Sequence, residues 1–335
     1  MNWNELRFDF NPTGGENVRY YFRNGEWQAP QYTTDETIPV HISSAALNYG
    51  ISAFEGLKVF RTEEGKIRIF RPLENAHRMQ EASRRLCMPE VSDEMFLEAC
   101  CEVVRRNEQF IPPLGTAAEM YLRPLLFATK PCLTVRAVDE AVFVLFATPV
   151  GTYFKEGIHP IKVVIDRSQD RVAPRGTGDV KIAANYAPSI LTCERAHRSG
   201  YGAVIYTDAL THRYVEECGA ANFIALRGNQ YVTPDSHTVL PSITNSSLCQ
   251  LAADMGMEVV RRPIAIDELA EFDTVAACGT GAIISPIGTI FDLDTGEKIS
   301  YGDEVSPKLL ELYHALLDIQ HGRAEDKHGW LYEVK

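Results

Sequence analysis

Arg175-Gly176-Thr177-Gly178-Asp179-Val180-Lys181-Ile182-Ala183-Ala184-Asn185-Tyr186 is the stretch on which the interpretation of this chain depends. It places one lysine, Lys181, beside a glycine-rich bend and one tyrosine, Tyr186, five residues further on. A lysine amine forms a Schiff base with an aldehyde, and the released amine can then carry a proton between two carbons of the bound adduct. The stretch therefore suggests that Lys181 anchors an aldehyde cofactor.

A carboxylate and two more small-residue turns follow this lysine along the chain. They lie in Glu217-Cys218-Gly219-Ala220-Ala221-Asn222-Phe223, Leu240-Pro241-Ser242-Ile243-Thr244 and Cys278-Gly279-Thr280-Gly281. A pyridine-ring cofactor needs an anionic partner that keeps the ring nitrogen protonated, so that the ring can accept the electron pair left when the substrate loses its α-proton. Glu217 is the better candidate for that partner and Glu216 the poorer one.

The two later turns are suited to a phosphate on the same cofactor. The apolar pattern predicts a helix at residues 245–255, directly after Ile243 and Thr244. Backbone N–H groups at a helix start and the helix dipole both favour a phosphate. Thr280, in a glycine-flanked turn, would add a hydroxyl and an amide. Together the segments predict a cofactor that carries both an aldehyde and a phosphate.

Each of these residues also has an ordinary structural explanation. A lone lysine is usually solvated, Tyr186 could belong to a core, and Thr280 is a common residue of a tight turn. Both Gly176-Thr177-Gly178 and Gly279-Thr280-Gly281 lack the third glycine of a dinucleotide fingerprint and the Gly-Lys-Ser/Thr ending of a P-loop, which excludes those two motifs. The order and spacing of the residues, rather than any single one, favour the aldehyde cofactor.

Length, charge and cysteine content limit the class of protein. The 335 residues predict two domains, and 33 basic against 45 acidic residues give a formal net charge of −12, which argues against a nucleic-acid or anionic-membrane partner. The eight cysteines show no metal-ligand or disulfide spacing, so neither a metal nor a disulfide framework is expected. Residues 1–10 contain no export or membrane-insertion signal. We expect a cytoplasmic protein with small-molecule partners.

Strand-like and helical patterns alternate along the chain. Strands are predicted at residues 143–146, 161–165 and 203–206, and helices at residues 92–106 and 245–255. This mixture predicts an α/β or α+β fold.

A segment rich in proline and glycine, residues 148–160, separates two of the strand-like runs. Such a segment is typical of a linker between domains. We therefore predict a smaller domain at residues 1–147 and a larger, cofactor-binding domain at residues 161–335, which contains all of the cofactor segments named so far.

The ordered motifs resemble the pyridoxal-phosphate enzymes of fold type IV, and within them the branched-chain amino acid aminotransferases of the larger form. The resemblance runs nearly from end to end. It is carried by Ala46-Leu47-Asn48-Tyr49-Gly50, Phe54-Glu55-Gly56-Leu57-Lys58, Phe70-Arg71-Pro72, Arg78-Met79, Tyr121-Leu122-Arg123-Pro124 and the tail His328-Gly329-Trp330, together with the segments described above.

The resemblance implies pyridoxal 5'-phosphate as the cofactor, bound at the interface of a smaller N-terminal and a larger C-terminal domain. It implies that Lys181 holds the cofactor covalently, that Tyr186 hydrogen-bonds the phenolic oxygen of the ring and that Glu217 meets the pyridine nitrogen. It adds Arg78, from the smaller domain, as a phosphate ligand, because the forked donors of arginine suit a phosphate dianion. By the same resemblance the remaining phosphate ligands are Ile243, Thr244 and Thr280.

The resemblance also implies a substrate pocket. Tyr121 and the amides of Thr280 and Gly281 would hold the α-carboxylate. The side-chain pocket would have apolar walls and a polar group, because it must accept both an aliphatic side chain and that of glutamate. The positions that match the family's pocket are Phe54, Tyr49, Arg123, Leu133 and Val135. In the family Tyr49, Leu133 and Val135 correspond to residues from the neighbouring subunit, which implies a homodimer; a surface loop that covers itself is the alternative for Leu133 and Val135.

The implied activity is transamination between L-leucine, L-isoleucine or L-valine and 2-oxoglutarate, giving branched-chain 2-oxo acids and L-glutamate, in the biosynthesis or degradation of these amino acids. Two alternatives within the fold are an aminodeoxychorismate-type lyase, which eliminates pyruvate with the same lysine and glutamate, and a D-amino acid aminotransferase. A cofactor-binding homologue without activity is a third, although the set of Lys181, Tyr186, Glu217 and Arg78 is intact.

Overall fold

The computed structural model describes residues 1–154 and 157–335. The chain divides into two compact units, each described by itself below. The first contains Met1–Tyr153, Val180–Ala184 and Asp318–Lys335, and the second contains Phe154–Asp179 and Asn185–Leu317. The predicted boundaries at 1–147, 148–160 and 161–335 stay a prediction, and residues 155 and 156 of the predicted linker lie outside the described residues.

An antiparallel sheet forms the first unit, with helices between its strands. The helices are α1 (Ala45–Tyr49), α2 (Pro72–Arg85) and α3 (Asp93–Arg106). The strands from the N-terminal part of the chain are β1 (Asn17–Arg23), β2 (Glu26–Trp27), β3 (Gln31–Thr33), β4 (Ser52–Phe54), β5 (Leu57–Arg61), β6 (Ile67–Phe70), β7 (Glu119–Ala128) and β8 (Ala141–Val150).

Helices α2 and α3 cover one face of this sheet. Met79 of α2 and Phe96 of α3 are buried in one apolar cluster with Leu122 of β7. Successive residues of a strand face opposite sides of the sheet. Tyr121 and Arg123, which alternate with Leu122, therefore lie on the other face of β7.

The strands of the second unit are β9 (Ile161–Ile165), β10 (Ala203–Thr207), β11 (Tyr214–Cys218), β12 (Ala221–Arg227), β13 (Gln230–Thr233), β14 (Glu258–Arg261), β15 (Ile264–Ala265), β16 (Thr274–Gly279), β17 (Ile283–Asp292) and β18 (Lys298–Ser300). Its helices are α4 (Ile190–Arg198) and α5 (Ile243–Asp254), and α6 (Pro307–Gln320) follows. The last strand, β19 (Leu331–Glu333), pairs with β6 in the first sheet.

Part of the second sheet closes on itself. The strands run in the order β12, β16, β17, β9, β10 and β11, and β11 pairs again with β12. Parallel pairs of β9 with β10 and β17 occur among antiparallel ones. Inside this ring lie the buried side chains of Val163, Ile205, Phe223, Val275 and Ile287. Closure leaves these strands without a free edge, and the ring interior is the core of the unit.

The α/β prediction is confirmed, and all five predicted elements are present. The three predicted strands lie within β8, β9 and β10, and the helix predicted at residues 92–106 is α3, capped by the Ser92 side chain. Helix α5 begins at Ile243, two residues before the predicted start, and Ser242 is its cap. No helix within the described residues has the length and apolarity needed to cross a membrane.

Candidate active site

The segment that contains Lys181 is held against strand β4 in the first unit. The N–H of Phe54 donates to the Lys181 carbonyl at 3.3 Å, and Ala53 pairs with Ile182 in a β-bridge. The Lys181 Nζ lies 4.7 Å from the centroid of the Phe54 ring, which is a favourable position for a cation over an aromatic face. Backbone pairing therefore fixes where the lysine side chain begins, and Phe54 lies against its amine.

Phe54 also contacts a second cation, Arg123. The Arg123 Cζ lies 5.1 Å from the Phe54 centroid and 5.3 Å from that of Tyr121, and the Arg123 Nη2 donates to the Tyr121 hydroxyl at 3.3 Å. The Arg123 Nε is buried and has no hydrogen-bond partner among the described residues. An unsatisfied buried donor costs about 1–3 kcal/mol. The predicted pocket residues Phe54, Tyr121 and Arg123 thus lie together with Lys181, and one of their donors is available to a polar ligand group.

Gly56 leaves the space that Tyr121 occupies. A Cβ built on Gly56 would lie 1.7 Å from the Tyr121 hydroxyl oxygen and 2.6 Å from the ring carbon that carries it. Any larger residue would therefore displace the tyrosine. The place of this hydroxyl depends on a glycine that sequence reasoning did not single out.

Arg78, the predicted phosphate ligand, is fixed by a buried carboxylate. Its Nε and Nη2 donate to the two carboxylate oxygens of Glu55, each at 2.7 Å. Glu55 is fully buried, and 12% of the Arg78 side chain is exposed. A two-point contact of this kind fixes both the position and the plane of a guanidinium.

Glu217, the predicted partner of the ring nitrogen, lies at the end of strand β11 in the second unit. Its Oε1 accepts from the N–H of Leu240 at 2.8 Å, and its Oε2 lies 3.4 Å from the Nη1 of Arg171. Both side chains are buried, at 6% and 7% exposure. The Glu217 carboxylate therefore has a buried cation as its neighbour.

Glu216, the poorer candidate, has different surroundings. Its Oε1 accepts hydrogen bonds from the hydroxyls of Ser236, at 3.1 Å, and Thr238. Glu216 is the extra residue of a β-bulge between Val215 and Glu217, and its carboxylate has a different set of partners from that of Glu217. Of the two glutamates, Glu217 is the one that contacts an arginine.

Helix α5 presents Ile243 and Thr244 as its first two residues. The Ser242 Oγ caps the helix by accepting from the N–H of Asn245 at 3.1 Å. The first N–H groups of a helix have no acceptor within it, and the dipole adds partial positive charge there. The earlier helix start thus places both predicted phosphate residues in the first turn, where their amides have the geometry for an anion.

Thr280 and Gly281 lie in the turn between β16 and β17. Gly279 pairs with Ile283 across the turn, and Ile283 has a φ of +63° although it is β-branched. Such a conformation costs about 1–3 kcal/mol and persists only where surrounding contacts hold it. Ile283 is buried and paired with Gly279, so the strained residue is held by contacts on the strand that follows the two predicted ligands.

Tyr186 lies half-buried in the second unit, directly after Asn185. The Asn185 Nδ2 donates to the Thr177 carbonyl at 2.6 Å, and the Thr177 hydroxyl donates to the Asn185 Oδ1 at 2.7 Å. The Ser189 hydroxyl donates to the Tyr186 carbonyl at 2.8 Å. These bonds hold the glycine-rich bend and the backbone of Tyr186 in place.

Tyr49 and Leu133 meet at the surface of the first unit. The Tyr49 hydroxyl donates to the Leu133 carbonyl at 2.6 Å. Leu133 is 82% and Val135 76% exposed. These predicted pocket residues therefore form an apolar, solvent-facing group, in which a hydrogen bond joins Tyr49 to the loop that carries Leu133 and Val135.

Two of the cysteines, Cys218 and Cys278, lie near the ends of strands β11 and β16 and are buried. Burial raises the pKa of Cys218 to about 12 and raises that of Cys278 well above its ordinary value, so both stay protonated at neutral pH. Within residues 1–154 and 157–335 there is no group of three or more His, Cys, Asp or Glu side chains that could hold a metal ion.

Sequence reasoning missed three residues that support the predicted ones. Glu55 orients Arg78, Arg171 accompanies Glu217, and Asn222 links the Leu240 carbonyl, at 3.1 Å, to Asn245 of helix α5, also at 3.1 Å. Both Glu55, which directly follows β4, and Asn222, which lies within β12, are polar residues among apolar neighbours, and a search for that pattern selects both. No sequence pattern of this kind indicates Arg171.

Known proteins share both the sequence and the fold. The family profile described as "Amino-transferase class IV" matches residues 52–290. The branched-chain-amino-acid aminotransferase of Haemophilus influenzae is 40% identical over 342 residues, which cover 100% of this chain and 99% of the relative. The crystal structure of the Escherichia coli branched-chain amino acid aminotransferase has a TM-score of 0.78 and 28% identity, covering 95% of this chain and 100% of that one. The branched-chain amino acid aminotransferase of Thermobaculum terrenum, in its PLP form, shares the fold with a TM-score of 0.79 at 23% identity, covering 96% and 100%.

Proposed function

The chain belongs to the class IV amino-transferase family, and we propose that it transfers the amino group between L-leucine, L-isoleucine or L-valine and 2-oxoglutarate, using pyridoxal 5'-phosphate. The products are branched-chain 2-oxo acids and L-glutamate. One observation carries the proposal. The Lys181 amine and the Arg123 guanidinium both contact Phe54, so a reactive amine, an apolar wall and a cation for a carboxylate lie together.

The residues present fit the cofactor. When bound, pyridoxal 5'-phosphate supplies an aldehyde for the lysine and a ring that takes up the electron pair released at the substrate Cα. Lys181 would hold it, with the Glu217 carboxylate at the ring nitrogen and the Tyr186 hydroxyl at the phenolic oxygen. The phosphate would be held by Arg78 and by the N-terminal amides of α5, together with Thr280. The chemistry of each group suits this cofactor, since Glu217 is a buried, arginine-bound carboxylate, helix α5 offers its N-terminus and Arg78 offers a forked cation.

Lys181 performs the proton transfer in this proposal. Its free amine would remove the proton from the substrate Cα and deliver it to the aldehyde carbon of the cofactor, C4′. The second half-reaction would use the same group in reverse, with 2-oxoglutarate as the acceptor and L-glutamate as the product. The cation–π contact with Phe54 places the amine over an apolar surface, which limits access of water to the base. A base held at a fixed position contributes about 10²–10⁴-fold to such a step.

The pocket residues explain how two unlike substrates could share one site. Phe54 offers an apolar wall to a branched side chain. The Arg123 Nε, buried without a partner among the described residues, offers a donor to the second carboxylate of glutamate or 2-oxoglutarate. The α-carboxylate would meet the Tyr121 hydroxyl and the amides of Thr280 and Gly281.

The active unit in this proposal is a homodimer, to which each chain contributes Tyr49, Leu133 and Val135 at its partner's site. The support is the large exposed area of Leu133 and Val135, joined by Ile42 at 84% and Leu47 at 64% exposure. Exposed apolar groups of this size, when they lie together, mark interaction surfaces.

We assign the protein to the cytoplasm. All eight cysteines are free thiols, as is usual where the surroundings are reducing. Cell fractionation with an antibody to the native chain would test this, and recovery outside the cytoplasmic fraction would contradict it.

Substitution of the lysine tests the proposed chemistry. Lys181→Ala removes both the covalent anchor and the base, so the visible absorbance of the lysine-bound cofactor should disappear and turnover should fall at least about 10²–10⁴-fold. Turnover near that of the unaltered chain, in purified cofactor-loaded protein, would reject the proposal. Release of pyruvate from an aminodeoxychorismate substrate would instead favour the lyase alternative, which the full-length relatives do not support.

A further inference from the structure

Glu55 is a fully buried carboxylate, 0% exposed, that directly follows strand β4. Its Oε1 accepts from the Arg78 Nε at 2.7 Å. Its Oε2 accepts from the Arg78 Nη2 and the Asn75 Nδ2, each at 2.7 Å, and from the N–H of Gly56 at 3.2 Å. The carboxylate is therefore satisfied from four directions and has no freedom to rotate.

The backbone of Glu55 is hydrogen-bonded to the sheet, and its two side-chain partners, Asn75 and Arg78, belong to one helix. The Glu55 N–H donates to the Pro124 carbonyl of β7 at 2.8 Å. Asn75 and Arg78 are three residues apart on α2, so they share a face of that helix. The ion pair thus holds the Arg78 guanidinium in a fixed position relative to the sheet.

We propose that Glu55 is a positioning residue, which holds the Arg78 guanidinium ready for the cofactor phosphate. The inference rests on the proposed role of Arg78. The ion pair is neutral overall, so Glu55 adds no attraction for an anion; it fixes the plane and direction of the donors. Binding is tighter when a flexible side chain is ordered before the ligand arrives, because the ligand then does not bear the entropy loss.

A purely structural role for the pair leads to a different expectation. A clamp between α2 and β4 would, when broken, weaken every ligand of the unit to a similar degree. Buried ion pairs also often contribute little net stability, because desolvation offsets their attraction. A positioning role affects only ligands that carry the phosphate.

The test compares pyridoxal 5'-phosphate with pyridoxal, which has the same aldehyde and ring without the phosphate. The full-length chain, stripped of cofactor, is titrated with each compound while the absorbance of the lysine-bound aldehyde is followed. Glu55→Gln should weaken pyridoxal 5'-phosphate about tenfold and change pyridoxal less than about twofold, since one charge-assisted contact is worth about a factor of ten or more.

A matched control comes from a second, partly buried carboxylate in the same unit. Glu119 contacts the Lys58 Nζ at 2.6 Å, but neither residue belongs to the proposed phosphate site. Glu119→Gln should leave the ratio of the two affinities unchanged, even where it lowers the melting temperature. If Glu55→Gln does not fold, Glu55→Asp, which retracts the charge by one methylene, should give the same phosphate-specific loss.

Arg78→Met separates failure of this inference from failure of the proposed function. It should weaken pyridoxal 5'-phosphate more than Glu55→Gln does, and the double variant should match Arg78→Met alone, because Glu55 acts through Arg78. No phosphate-specific loss in Arg78→Met would overturn the proposed role of Arg78. The positioning role alone would be overturned if Arg78→Met showed the phosphate-specific loss and the Glu55 variants did not. The same holds if the Glu55 variants weakened pyridoxal 5'-phosphate and pyridoxal equally.

Discussion

Replacing Gly56 with alanine should displace the Tyr121 hydroxyl and so impair the reaction without unfolding the chain. The added Cβ would lie 1.7 Å from that oxygen, and contacts below 3.0 Å are essentially never found, so the hydroxyl must retreat by about 1.3 Å. The same shift disturbs the 3.3 Å hydrogen bond from Arg123. Misplacement of a substrate-positioning group by about 1 Å costs on the order of 100-fold, and overpacking costs about 1–3 kcal/mol of stability.

The assay is the steady-state kcat/KM for L-leucine with 2-oxoglutarate, measured beside the melting temperature and the absorbance of the bound cofactor. Gly56→Ala should lower kcat/KM about 100-fold while the cofactor stays bound. Gly202→Ala is the control, because the nearest atom to its new Cβ, on Ile161, is at an ordinary 3.4 Å. An unchanged kcat/KM in folded, cofactor-loaded Gly56→Ala would refute the reasoning, since the Tyr121 hydroxyl would then have no required position.

Acid should weaken the fold partly through Glu119. Burial alone would raise the pKa of Glu119, but Lys58 and His321 lower it to about 2 from an ordinary 4.5, so its contribution, on the order of 3 kcal/mol, is present above about pH 4.5 and lost as the pH falls to about 2. The free energy of unfolding, measured with urea across that pH range, should fall less steeply with decreasing pH in Glu119→Gln than in the unaltered chain. An equally steep fall in both proteins would contradict this. Leu133→Asp should shift the chain from dimer to monomer in light scattering, whereas Leu210→Asp, at a site with 78% exposure, should not; a dimer that persists in both would exclude this surface.

Local patterns in the sequence predicted the local elements well. Helix α3 is predicted by its apolar stripe alone, and its cap, Ser92, is the first residue of the predicted range. The start of α5 was placed two residues late because its apolar pattern begins inside the helix, after Ile243 and Thr244. The start of a helix is fixed by the hydrogen bond of its capping side chain, and the pattern of apolar residues carries no information about that bond.

Contacts between distant residues account for what the sequence did not predict. The pair of Glu55 with Arg78 spans 23 residues, and Arg171 meets Glu217 across the turns of the second unit. Neither pair has a periodic signature, because each depends on how strands and loops come together. For the same reason no pattern indicated that Val180–Ala184 packs with the first unit, although the lysine within it was the first residue to be singled out.

Amino-group exchange on the purified, cofactor-loaded chain tests the central claim most directly. L-Leucine and 2-oxoglutarate are supplied and L-glutamate is followed, while parallel reactions contain D-alanine with 2-oxoglutarate or an aminodeoxychorismate substrate. The account predicts L-glutamate from L-leucine and none above background from D-alanine. Absence of exchange with L-leucine, together with turnover of D-alanine or release of pyruvate, would contradict it.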